Sequence, residues 1–137
     1  MRFQEIIELH PRPNDLDRRA LFRCIEECLD CAASCTACVD ASVSEPDVPD
    51  LRRVIRLCSD CADTCDATRR LVTRQSETDL GLLAAVLEAC STACNDSAEE
   101  CRRHAAHHEH CRICAEVCRA CKAACDDLLA VFSAGSG

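Results

Sequence analysis

Sixteen of the 137 residues are cysteine, and their spacing says as much as their number. Cys24, Cys28, Cys31, Cys35 and Cys38 step alternately by four and three, which keeps every sulfur on one face of a helix. Three further ladders share the rhythm: Cys58, Cys61, Cys65; then Cys90, Cys94, Cys101, with Ser97 at the skipped step; then Cys111, Cys114, Cys118, Cys121, Cys125. Helix neighbours at these spacings have Cβ atoms about 5–6 Å apart, whereas a disulfide wants about 3.8 Å, so bridges within a helix would unwind it. A metal with two bonds of about 2.3 Å to sulfur spans the same gap without distortion.

The donor set narrows the metal. Structural zinc takes isolated groups of four ligands, and these sulfurs form no isolated fours. Iron-sulfur runs of the C-x2-C-x2-C-x3-C-P type loop around a cluster and end in proline, a pattern missing from this chain. A continuous column of soft thiolates, without carboxylates or a regular histidine set, favours Cu(I) in two- or three-coordinate sites. If every sulfur bridges two coppers, capacity approaches about one ion per cysteine, and equal numbers of Cu(I) and thiolate leave the buried column neutral.

These ladders need long helices to carry them, and turn signals mark four. Pro11 and Pro13 precede a first helix from about Asn14, its cap, to Ala41. Ser44 to Pro49 breaks it. A second helix, capped near Asp47, runs to about Thr73, a third from about Thr78 to His104 or beyond, and a fourth from about Glu109 to Phe132. No Gly or Pro lies between His104 and His110, but the two cysteine registers on either side disagree, and a hairpin turn there resolves the conflict. The expected organisation is an extension over 1–13, a bundle over 14–132 and a flexible Ser/Gly tail over 133–137.

The fold class is therefore all-α, an antiparallel up-down-up-down four-helix bundle with a cysteine-lined core. Stacking the seam positions gives one apolar end made of Asp17, Val72, Leu80 and Phe132, then Leu21, Thr68, Leu83 and Leu128. Next come Cys24, Cys65, Leu87 and Cys125. Two layers are expected to be wholly thiol: Cys28, Cys61, Cys90 and Cys121, then Cys31, Cys58, Cys94 and Cys118. Beyond these lie Cys35, Val54, Ser97 and Cys114, and finally Cys38, Leu51, Cys101 and Cys111. Cysteine is smaller than leucine, so so many thiol positions would leave an underpacked axis unless something fills it.

Composition excludes other classes. Net charge is −8, with no Trp, no Tyr and no basic run, which argues against nucleic acid. The first thirteen residues hold no apolar run of signal-peptide length, and acidic or basic residues interrupt every helix. A soluble, cytoplasmic protein with reduced thiols is expected. No catalytic triad, phosphate loop or isolated activated cysteine emerges, so it is read as a non-enzyme.

The ladders Cys24 to Cys38 and Cys111 to Cys125, with His110 just before the latter, resemble the bacterial cytosolic copper storage proteins over nearly the whole chain. That resemblance implies a homotetramer of four-helix bundles, many Cu(I) ions held by cysteine, and histidine near one mouth. Four histidines in seven residues stand at the thiol end of the stack. His104 and His108 continue the third seam and His110 adjoins Cys111, so these three join the sixteen cysteines as metal-ligand candidates, with His107 off that face. Expected partners are copper ions, further copies of the chain and a copper chaperone. An iron-sulfur electron carrier and a disulfide-stapled structural bundle stand as alternative readings.

Overall fold

The computed structural model describes residues 1–135. Its helices are α1 (Phe3–Glu8), α2 (Arg18–Val43), α3 (Arg52–Thr73), α4 (Leu80–His104) and α5 (Glu109–Gly135), with a 3-10 turn over Val48–Leu51 leading into α3. Asp17 starts α2 by accepting the Ala20 N–H at 2.8 Å, and Asp79 starts α4 by accepting the Leu82 N–H at 3.0 Å. Each satisfies a donor that a helix start leaves free.

Asn14, the expected cap, lies three residues too early because its side chain is used elsewhere. Its Oδ1 accepts from the Leu16 N–H and its Nδ2 donates to Thr78 Oγ1 at 2.9 Å, tying the N-terminal segment to the α3–α4 loop. Asp47 precedes the 3-10 turn without a capping bond, and its carboxylate reaches His108 instead. The break between His104 and Glu109 falls where the conflicting cysteine registers require it, and the His108 N–H closes the turn onto the His104 carbonyl at 2.9 Å. The last helix runs past Phe132 to Gly135, since neither Ser133 nor Ala134 stops a helix. Of the tail expected over 133–137, residues 136 and 137 lie outside the described residues.

α2 packs against α3 and α5, and α4 packs against the same two. Cross-helix sulfur contacts give the directions. Going up α2 from Cys31 to Cys35, the α5 partner falls from Cys118 to Cys114. Going up α3 from Cys58 to Cys65, the α4 partner falls from Cys101 to Cys90. Neighbouring helices are antiparallel, as the ladders predict.

One end of the axis is an apolar plug of Leu21, Val72, Leu83, Leu87 and Leu128, all buried. Thr68 belongs there too, because its hydroxyl donates to the Thr64 carbonyl at 2.7 Å and no longer needs water. α1 folds back over this end, with Phe3 edge-on to Phe22 at 6.3 Å and Ile7 buried. Asp17 and Leu80 do not join the end layer expected of them: Asp17 is spent as a cap, and Leu80 is 51% exposed in the first turn of α4. Each fully buried leucine contributes about 1.5–3 kcal/mol, so the plug closes the bundle without help from the thiols.

Candidate metal centre

All sixteen cysteines are free and buried. Their sulfurs form one continuous column along the axis. Cys28 meets Cys121 at 3.7 Å, and Cys65 meets Cys90 at 3.6 Å and Cys121 at 3.8 Å. One step on, Cys31 meets Cys61 at 3.7 Å and Cys118 at 3.8 Å, and Cys61 meets Cys94 at 3.7 Å. Further along, Cys35 meets Cys114 at 3.7 Å, and Cys58 meets Cys114 at 3.9 Å and Cys101 at 3.4 Å.

These contacts correct the expected layers in one helix. The α3 ladder sits one seam step away from its predicted register, so the all-thiol layers are Cys28, Cys65, Cys90, Cys121 and Cys31, Cys61, Cys94, Cys118. Cys58 moves out to the layer of Cys35, Cys114 and Ser97, where Val54 was expected. The cause is the α2–α3 connection. α2 continues to Val43 and the α-helix resumes only at Arg52, so the hairpin turns around Pro46, inside the expected break of Ser44 to Pro49 but later than a pairing of Cys31 with Cys58 would need. Ser97 replaces a thiol by a hydroxyl held between Cys58 Sγ at 3.2 Å and Cys118 Sγ at 3.4 Å.

Among the described residues, the sulfurs of Cys28/Cys90/Cys121/Cys125, of Cys31/Cys65/Cys94/Cys121, of Cys31/Cys35/Cys61/Cys118 and of Cys38/Cys58/Cys101/Cys114 lie within 4.8 Å of one another in each set. Cys31 and Cys121 each belong to two sets, so the sites share ligands instead of standing apart. Metal–sulfur bonds of about 2.3 Å place two sulfurs of a three- or four-coordinate ion about 3.8–4.0 Å apart, which is the spacing of the column.

Proton positions follow the same contacts. Hydrogen bonds from Cys101 and Cys114 hold the Cys58 thiol down, at about 4, against the upward push of burial. Cys101 is correspondingly driven above the usual thiol range. At the plugged end, a hydrogen bond from Cys125 brings Cys24 down to about 5. Neighbouring sulfurs thus shift in opposite directions, the lowered one accepting hydrogen bonds from the raised ones.

The other end of the column meets the histidines. His110 Nδ1 lies 3.3 Å from Cys38 Sγ and 3.6 Å from Cys111 Sγ, and the three groups are close enough to share one ion. His104 is placed differently: its Nε2 is 3.1 Å from Glu100 Oε2. His108 is buried and engaged by carboxylates, with Nε2 at 2.9 Å from Asp47 Oδ2 and Nδ1 at 3.4 Å from Glu45 Oε2. His107 is exposed. Sequence reasoning gave no site role to Glu45 or Glu100, and read Asp47 only as a helix cap. The only available signal was Glu100 four residues before His104, one helical turn away on the same face.

An antiparallel bundle with a shared-ligand sulfur column along its axis is a polynuclear metal-holding protein. The chain belongs to the copper storage protein family, whose model matches residues 17–130. The copper storage protein Ccsp from Streptomyces lividans, loaded with 10 copper equivalents, is similar at TM-score 0.91 and 50% identity, over 93% of this chain and 98% of that one. A structure of a cytosolic copper storage protein from the same organism with five coppers gives TM-score 0.81 and 54% identity, over 82% of this chain and 93% of that one. An uncharacterized cysteine-rich protein, YhjQ, from Bacillus subtilis is 32% identical over 107 residues, 78% of this chain and 94% of its own length.

Proposed function

We propose that this chain stores many Cu(I) ions in the cytosol through its core thiolates, without catalysing a reaction. The observation that carries the reading is the unbroken sulfur column, whose neighbouring sulfurs lie 3.4–3.9 Å apart from Cys28 and Cys121 to Cys58 and Cys101. Shared ligands suit a monovalent ion: one Cu(I) per thiolate leaves the interior neutral, whereas divalent ions on shared thiolates would bury net charge. The ligands are Cys24, Cys28, Cys31, Cys35, Cys38, Cys58, Cys61, Cys65, Cys90, Cys94, Cys101, Cys111, Cys114, Cys118, Cys121 and Cys125, with His110 at the mouth. His104 and His108 stand behind it, oriented by carboxylates.

The membership of a storage family and the copper-loaded relatives support this over an iron-sulfur carrier or a disulfide-stapled bundle. Family resemblance adds a homotetramer, which sedimentation would read, and a chaperone as copper donor. The deciding experiment is an anaerobic titration of the reduced chain with Cu(I) against a chromophoric chelator. Saturation approaching about one copper per cysteine is expected. Saturation at one or two ions would mean that the column is not a store.

A further inference from the structure

The α4 ladder is missing one sulfur. Ser97 stands at the seam step between Cys94 and Cys101, fully buried, with its Oγ 3.2 Å from Cys58 Sγ and 3.4 Å from Cys118 Sγ. Two partners satisfy the buried hydroxyl, so the fold bears it at little cost. As a ligand it is a neutral hard oxygen among soft sulfurs, a poor match for Cu(I). Cys58 and Cys118 therefore face each other across a group that does not carry copper between them.

The sulfur contacts on either side of Ser97 show what this does to the column. On the α3–α4 wall, Cys61 meets Cys94 at 3.7 Å toward the plug, and Cys58 meets Cys101 at 3.4 Å toward the mouth. On the α2–α5 wall, contact continues through Cys35, which lies 3.6 Å from Cys118 and 3.9 Å from Cys31 on one side and 3.7 Å from Cys114 on the other. The four-sulfur sets divide at the same level. Cys28/Cys90/Cys121/Cys125 shares Cys121 with Cys31/Cys65/Cys94/Cys121, which shares Cys31 with Cys31/Cys35/Cys61/Cys118, whereas Cys38/Cys58/Cys101/Cys114 has no member in common with these three.

We infer that Ser97 partitions the store, an inference that rests on the copper storage proposed above. Cys38, Cys58, Cys101, Cys111 and Cys114 hold an outer pool, the sulfurs from Cys31 and Cys118 toward the plug hold an inner pool, and Cys35 passes ions between them. An ion moves along a thiolate chain by binding the next sulfur before leaving the last, so a level crossed at one sulfur carries a higher barrier than a level lined by four. With the apolar plug at the inner end, inner copper is expected to leave through the outer pool. The protein then keeps a readily exchanged fraction in front of a slowly exchanged reserve.

The test is anaerobic withdrawal of Cu(I) from the fully loaded, full-length chain by excess bathocuproine disulfonate, followed by stopped-flow absorbance. Wild type is expected to lose copper in two phases, the faster carrying about a third of the metal, since five of the sixteen cysteines belong to the outer pool. Ser97→Cys restores the missing sulfur and should merge the phases, whereas Ser97→Ala supplies no ligand and should keep both. Cys35→Ser should slow the second phase by at least about tenfold and leave the first within about twofold. A single phase in wild type would overturn the partition whatever the variants do, as would two unchanged phases in Ser97→Cys. An unchanged second phase in Cys35→Ser would overturn the route through that sulfur. The total copper released is a separate readout: many ions in a single phase would end the partition and leave storage standing, while one or two ions in all would end the storage reading itself.

Discussion

The Cys65 sulfur lies 3.6 Å from the Cys90 sulfur across the α3–α4 interface, one seam step from the Leu87 that heptad counting sets opposite it. This contact makes Cys65 and Cys61, not Cys61 and Cys58, the α3 members of the two all-thiol layers. Cys61→Ala with Cys65→Ala therefore cuts both layers. Because bridging sulfurs serve two ions each, capacity should fall by about two to four copper equivalents. Cysteine-to-alanine truncation leaves only small voids, so the variant should remain helical by circular dichroism. An unaltered Cu(I) stoichiometry would remove these layer assignments.

Most of the bundle was legible in the sequence because cysteine at steps of four and three marks the seam of each helix directly, from Cys24 through Cys125. Even the hairpin after His104, which has no Gly or Pro, could be read from the clash between the registers of Cys101 and Cys111. The stagger between α2 and α3 was not legible, since it depends on where the chain turns around Pro46 and on a 3-10 turn whose rise differs from that of an α-helix. Asp47 illustrates the other blind spot. A residue type that caps helices was read as a cap, but tertiary packing gave its carboxylate to His108, distant in sequence.

The metal-free reduced chain should already be helical. Its apolar plug and the outer residues Ile25, Leu29, Val86 and Val117 supply apolar burial that needs no metal. Leu87 is fully buried where the plug meets the sulfur column, so Leu87→Ala should cost about 2–5 kcal/mol in denaturant unfolding of the copper-free protein. A random-coil spectrum for the reduced wild type would instead mean that copper drives folding, as zinc does in finger domains.

Copper loading should release protons, but fewer than one per ion at neutral pH. Hydrogen bonds from neighbouring thiols hold Cys58 and Cys24 below the ordinary thiol range, so they carry less than a full proton for copper to displace. Cys101, raised above the thiol range, must give up its proton. The sign follows: protons compete with copper at raised thiols, so affinity there rises with pH and falls on acidification, while Cys58, whose thiol is lowered, keeps its ligand form further into acid. Unbuffered titration with an indicator reads the ratio. A full proton per copper would show every thiol to be protonated beforehand.

Among the histidines only His110 touches the sulfur column, through Nδ1 at 3.3 Å from Cys38 and 3.6 Å from Cys111. His104 is held by Glu100, and His108 by Asp47 and Glu45, so neither has a ring nitrogen at a sulfur. Neutral imidazole is a weaker Cu(I) ligand than thiolate, which lets it capture an ion at the mouth and release it inward. The plug of Leu21, Val72, Leu83 and Leu128 closes the opposite end, so uptake is expected from the His110 side. Changing His104, His108 and His110 together to Ala should slow uptake from a Cu(I) donor without much altering final loading. His110→Ala alone should reproduce most of that slowing, and His104→Ala very little. Stopped-flow loading at fixed pH separates the cases: wild-type rates in the triple variant would end the idea of a histidine port, and slowing by His104→Ala equal to that by His110→Ala would end the assignment of His110 as the residue that hands copper to the first sulfurs.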